Sequence, residues 1–263
     1  MLKKRKDTLT QVGLWQNNEG IQTLWFDSKN QPHFWQAADS VTPLQIAKNI
    51  ATKLTQDNPS LKVGLTFITA ISSKHIWSKT LILPHALSSA ECEQQCRYVL
   101  AQELPVPLDE LWFDFCSKPL KQSFRLDIFA VMQSIAKQQV DKFSPLKINV
   151  LDTLSHCLLR AFRYFQPHLD DAETLLLYQD GEHSIAIQNK THQLQLLQTQ
   201  GNLTALFEQF CERYEEKPNA VIYYRTTGQE ILPNNWQEIN TELPLIALGA
   251  ALWQRDFING IRH

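Results

Sequence analysis

The spacing of apolar residues switches between two periods along the chain. A period of two, as in half-buried strands, runs through 11–15, 21–27 and 32–36, around the turn Asn17-Asn18-Glu19-Gly20. Thr42-Pro43-Leu44-Gln45 then combines a capping box with proline at the first helical position, and Ile46, Ala47, Ile50 and Leu54 carry that helix to Asn58-Pro59. Strands follow at 63–67 and 76–83. Lys147 to Leu151 reads as a further strand, and Asp152 as the cap of a helix over 153–165, where Leu154, Cys157, Leu158, Ala161, Phe162 and Phe165 keep helical phase. The second half repeats the order. Strands at 173–179 and 182–188 flank Asp180-Gly181, a third lies at 192–197, a helix carries Leu203, Leu206, Phe207, Phe210, Cys211 and Tyr214, and a strand covers 220–224. A last helix is expected from Pro244 towards Ile261.

Each half therefore reads strand-strand-strand-helix-strand and finishes with a helix. The duplication is one of elements and not of residues, and it predicts an α/β chain built from two actin-like, ribonuclease H-like lobes. The first half exceeds the second by 70–145. We therefore expect a first lobe over 1–69, an inserted α+β subdomain over 70–145, and a linking helix with a second, reduced lobe over 146–263.

The insert is the most legible part. Ser88 with Glu91 forms a capping box, and Cys92, Cys96, Val99 and Leu100 make one apolar stripe behind it. Pro105 and Pro107 end that helix near Leu104. Leu111, Phe113 and Phe115 then alternate with Trp112, Asp114 and Cys116, and a second strand covers 124–130, followed by a helix with Met132, Ile135, Ala136 and Gln139 in phase. This unit holds no nucleophile, metal cluster or glycine-rich loop.

Composition narrows the classes. With 43% hydrophobic and 20% charged residues the chain is an ordinary globular one, and a net charge of −2 gives no basic surface for nucleic acid. No apolar run reaches the ~18–20 residues that a membrane helix needs. The basic start, MLKKRKDTLTQ, lacks the apolar region of a signal peptide and reads as a solvated tail. The five cysteines read as reduced thiols, and Cys92, Cys96, Cys157 and Cys211 sit on apolar helix stripes.

Leu83-Pro84, the capped helix with Glu91 and Glu93, and LPVPLDELWFDF (104–115) together resemble the PilM family of type IV pilus assembly proteins. The tail LIALGAALWQRDF (245–257) is similar to the short members of that family, the HofM and competence ComA type of DNA-uptake operons. The resemblance implies an actin-like fold of the FtsA and PilM type. It also implies a cytoplasmic scaffold, peripheral at the inner membrane, for pilus assembly or DNA uptake. The partner it implies is a PilN-type bitopic inner-membrane protein, whose cytoplasmic N-terminal tail docks in a groove between central lobe and insert. On the insert, Trp112, Phe115, Leu126 and Phe129 are the candidate anchors for such a tail.

Actin-like ATPases hold phosphate on the amides of two strand turns and magnesium on an Asp beside each, which requires glycines for close backbone approach. The family pattern is a Gly-x, then Asp-x-Gly-Ser. Here Gly13 matches, but Trp15 replaces the Asp and Asn17 the Gly. At the second turn Tyr178 replaces the Asp and Asp180 the Gly, beside Gly181. The adenosine-side Gly-Gly is reduced to Gly228 after Thr226-Thr227. These substitutions predict a degenerate site, no ATP or magnesium cofactor and no ATPase activity, with Gly13, Gly181 and Gly228 serving as turn glycines. The competing readings are an active actin-like ATPase with an unusual site, and an enzyme on a ribonuclease H-like lobe, for which the central turns supply no carboxylate cluster. Metal-site spacing is absent from the eight histidines, and Cys92 with Cys96 has no second pair. Asp170-Asp171 and Glu215-Glu216 read as solvated charge at element ends. Trp15, Trp25 and Trp35 read as core of the first sheet, and Trp112 and Trp253 as candidates for exposure.

Overall fold

The computed structural model describes residues 8–38, 41–56, 63–181, 183–228 and 230–253. Two compact units interleave along the chain. One gathers the described parts of Met1–Ile71, Lys137–Ala161 and Glu242–Asp256, the other those of Ser72–Ala136 and Phe162–Thr241.

In the first unit, β1 (Thr8–Asn17), β2 (Gly20–Phe26) and β3 (Pro32–Ala37) form an antiparallel meander. The helix α1 (Pro43–Gln56) returns the chain to β4 (Val63–Ile71), parallel to β1, and β8 (Ile148–Thr153) adds parallel to β4, giving the order β3-β2-β1-β4-β8. The capping pair sits where the sequence puts it, with the Thr42 N–H donating to Gln45 Oε1 at 2.9 Å. Val12, Leu14 and Trp25 pack with Ile46 and Ile50 of α1, a core that burial of apolar surface stabilises. The end of α1 expected at Asn58-Pro59 lies outside the described residues.

The helix α4 (Leu154–Phe165) follows β8 directly. Its N-terminal cap is Thr153, not Asp152: Thr153 Oγ1 accepts the His156 N–H at 3.1 Å. Asp152 is drawn instead to Arg160, whose Nη2 donates to Asp152 Oδ2, while Arg160 Nε donates to the Gly249 carbonyl at 2.8 Å. Gly249 belongs to α6 (Leu245–Ala251), which packs on β1, β2 and β4 of this unit, so the helix that closes the second repeat serves the first sheet. Its expected continuation beyond residue 253 is outside the described residues.

The second unit holds two sheets. The insert is a three-stranded antiparallel sheet of order β5-β7-β6, built from β5 (Trp77–Leu83), β6 (Leu111–Pro119) and β7 (Phe124–Met132). The helix α2 (Ser89–Glu103) lies on one face. Both halves of its capping box form, and Cys92, Cys96, Val99 and Leu100 pack on Phe124, Leu126, Ile128 and Ala130. The helix α3 (Gln133–Asp141) follows β7.

The other sheet has the order β11-β10-β9-β12-β13, from β9 (Thr174–Gln179), β10 (Ser184–Asn189), β11 (Leu194–Thr199), β12 (Ala220–Arg225) and the short β13 (Gln237–Glu238), which the pattern did not suggest. Its core packs Leu175, Leu177 and Ala186 of the sheet with Leu203, Leu206 and Phe210 of α5 (Leu203–Tyr214). β10 starts at Ser184, paired with Gln179, so four residues connect the two strands where two were expected, and Glu182 lies outside the described residues. All five cysteines are free thiols, and burial pushes Cys96 up to about 11.

Candidate functional site

The first strand turn is closed by the chain's own groups. Asn17 pairs with Gly20, and Asn17 Oδ1 accepts the Glu19 N–H at 3.0 Å, so one amide that could face a phosphate is satisfied by a side chain. Gly20, at φ 122°, is the glycine this turn requires, since a side chain there would run into the Ala37 carbonyl. Trp15 is buried within the sheet.

Gly13 is no turn glycine. It sits in mid-strand opposite Leu24 and Ile68, and a Cβ there would collide with the Ala247 carbonyl and come within 2.6 Å of the Ala251 nitrogen. Its role is to let α6 approach β1, and Gly249 does the same for the Cys157 backbone on α4.

At the second turn the Asp180 carboxylate is already engaged. Asp180 Oδ2 accepts the Tyr178 hydroxyl at 2.8 Å, and Oδ1 accepts the His183 N–H at 2.6 Å with the His183 ring Nδ1 at 3.3 Å. Tyr178 stacks on Tyr224 at 5.8 Å between centroids. Burial, then the Asp180 charge, pushes the Tyr224 hydroxyl above its usual range. Gly181 does lie in the turn, but a Cβ there would meet nothing within 4 Å.

Gly228 has φ 98° and faces Gln179 Oε1. The loop that carries it brings Glu230 to the start of α5, where the carboxylate accepts the Leu203 N–H at 2.7 Å, the Thr204 N–H at 3.3 Å and the Thr204 hydroxyl at 2.9 Å. Asn202 Oδ1 caps the Ala205 N–H at 2.8 Å. A helix N-terminus attracts anions, and here an internal carboxylate occupies it. Glu230 carries no local sequence signal for this role.

These donors do not match a magnesium–nucleotide. Residues 15 and 178 are aromatic, the Asp180 oxygens are engaged within their own turn, and Glu230 sits on the first amides of α5. Among the described residues no group of three His, Cys, Asp or Glu side chains could hold a metal ion.

On the insert, the structure separates the four candidate anchors onto two faces. Leu126 is fully buried beneath α2, and Phe115 packs against the same core. Trp112 and Phe129 point to the opposite face, where Trp112 is 42% exposed and Phe129 half-buried. β7 is the central strand, so the free edges belong to β5 and β6. One end of this second face is closed within the unit: nearly buried Arg125 pairs with Asp127 and donates to the Lys190 and Thr191 carbonyls of the β10–β11 turn. Arg125 was not singled out by the sequence pattern.

No family model matches the chain, and no curated protein matches it in sequence. Solved structures do match. The fold is actin-like. Over 81% of this chain and 67% of the other, at 15% identity and a TM-score of 0.52, it is similar to a structure of the PilM-PilN type IV pilus biogenesis complex. Over 95% of this chain and 94% of the other, at 13% identity and a TM-score of 0.56, it is similar to the cytoplasmic domain of EpsL, an inner-membrane component of the type II secretion system of Vibrio cholerae. No described helix of this chain is long and apolar enough to cross a membrane.

Proposed function

We propose that this chain is a docking scaffold of a type IV pilus or DNA-uptake machine. In this reading it binds the cytoplasmic N-terminal tail of a PilN-type bitopic inner-membrane protein, stays peripheral at the inner membrane through that partner, and turns over no ATP. Its fold is that of the PilM and EpsL structures above, but the observation that carries the reading is the insert. Among the described residues α2 covers one face of its sheet, the other carries Trp112, 42% exposed, and β5 and β6 are the edge strands. A short extended tail gains affinity from a few apolar anchors and main-chain hydrogen bonds, and this surface supplies both.

The direct test is titration of a synthetic tail peptide from the organism's PilN-type protein, followed by tryptophan fluorescence. Saturable binding lost in Trp112→Ala supports the reading. Absence of binding at high micromolar peptide, or binding that protects only residues 173–253 from amide exchange, sinks it. The DNA-uptake branch rests on the similarity of 245–257 to the short competence members, and a deletion strain that keeps transformation but loses pili would exclude it.

A further inference from the structure

The insert has two edge strands, and they differ in how their outward backbone groups are managed. In an antiparallel pair, hydrogen-bonded and open positions alternate, so one residue in two turns its N–H and C=O away from the partner strand. Three observations fix the phase on β6. The Leu111 N–H donates to the Leu108 carbonyl, the Phe115 N–H donates to its neighbour Asp114 Oδ1 at 2.8 Å, and Pro119 has no N–H. Odd-numbered residues of β6 therefore face outward, and three of the five are already closed.

Carried across the register through β7, this phase makes Ser78, Thr80 and Ile82 the outward residues of β5. Pro84 falls at the next outward position, where a missing N–H costs nothing. Between Ser72 and Pro84, β5 pairs with β7 alone, and no described strand lies on its other side. Exposed edges invite pairing with another chain and are ordinarily blunted. β6 is blunted as described, and β11 is too, where the Tyr214 hydroxyl donates to the Leu196 carbonyl at 2.9 Å and accepts the Leu196 N–H at 3.0 Å. Among the described residues, β5 carries three successive outward residues with no such device.

Side chains flank this edge on both faces. Trp77, Leu81 and Leu83 are only partly buried at the rim of the α2 core, and Ile82 is 45% exposed on the other face. We infer that the outer edge of β5 receives an added strand: an extended segment of about five residues with apolar side chains at alternate positions. The occupant is the partner tail, so the inference rests on the function proposed above and specifies where and how that tail is held.

The experiment uses the full chain and the synthetic tail peptide. Ser78→Pro removes an outward N–H from an edge, a substitution that sheets accept, and should weaken peptide binding about tenfold or more. Ser117→Pro makes the same change on β6 and should leave binding unchanged. Amide exchange on the unaltered protein decides the matter even if Ser78→Pro fails to fold: added peptide should slow the Ser78, Thr80 and Ile82 amides and not those of Phe113 and Ser117. Binding that protects the β6 amides instead, or that survives Ser78→Pro in a folded protein, overturns this inference and leaves tail docking standing. A peptide that does not bind removes both. Concentration-dependent dimerisation abolished by Ser78→Pro would assign the edge to a second copy of the chain and overturn it as well.

Discussion

Arg125 Nη1 donates to the Lys190 carbonyl at 2.6 Å, which ties the central strand of the insert to the β10–β11 turn. The same guanidinium pairs with Asp127 and is almost fully buried. Removing one member of a buried pair leaves the other charge without compensation. Arg125→Met should therefore destabilise the fold by about 3–5 kcal/mol. Urea unfolding followed by far-UV dichroism would measure it. A change below about 0.5 kcal/mol, the usual size for a surface substitution, would show that the clamp carries no stability.

The glycines give a sharper contrast. Gly13 and Gly181 both read as turn glycines in the sequence, but of the two only Gly13 has backbone packed against it. Gly13→Ala should cost about 3 kcal/mol or more, because α6 must shift away from β1. Gly181→Ala should change stability by less than about 0.5 kcal/mol. Equal effects in thermal unfolding would contradict the packing assigned to Gly13.

That contrast shows what was legible in the sequence. The helix α2 was readable to its ends because its signals are local: Ser88 and Glu91 three residues apart, and prolines just beyond Leu104. The hairpin β6–β7 was readable for the same reason. The alternation also placed Trp15 in the first sheet. Gly13 was misjudged because the atoms that require a glycine belong to Ala247 and Ala251, at the far end of the chain. Glu230 was invisible because a helix start gives no sign of an anion arriving from a loop 27 residues on. The anchors Phe115 and Leu126 were grouped with Trp112 and Phe129 because alternation divides a strand into two faces without saying which one a helix will cover.

A third expectation concerns acid. Burial alone would raise the Asp152 carboxyl, but the Arg160 guanidinium, with His156 beside it, holds it below the usual carboxylate range. A carboxylate whose folded pKa is depressed stabilises the protein above its unfolded value, near pH ~4, and that contribution is lost as pH falls through the folded value. Asp152→Asn should remove about 3–5 kcal/mol at neutral pH, because Arg160 stays buried and unmatched. The variant should also lose stability less steeply below about pH 4 than the parent chain. Urea midpoints across that range would check both, and parallel acid limbs would refute the linkage.

The last expectation concerns nucleotide. A phosphate at the first turn would have to compete with Asn17 for the Glu19 amide, and a metal at the second would have to draw Asp180 from Tyr178 and His183. Each exchange breaks hydrogen bonds already made in the folded state, so binding energy is spent before any contact with the ligand is gained. A ligand present at a hundred times its dissociation constant would stabilise the fold by ~2.7 kcal/mol, a shift readily seen in a thermal melt. ATP with magnesium at millimolar concentration should produce no saturable shift, and no phosphate release above background. Trp15→Asp combined with Asn17→Gly should not create activity, because the second turn stays closed by its own Tyr178–Asp180 bond and α5 keeps Glu230 on its first amides. A saturable shift with the unaltered chain would mean that these internal contacts yield to nucleotide, and the scaffold reading would give way to that of an actin-like ATPase.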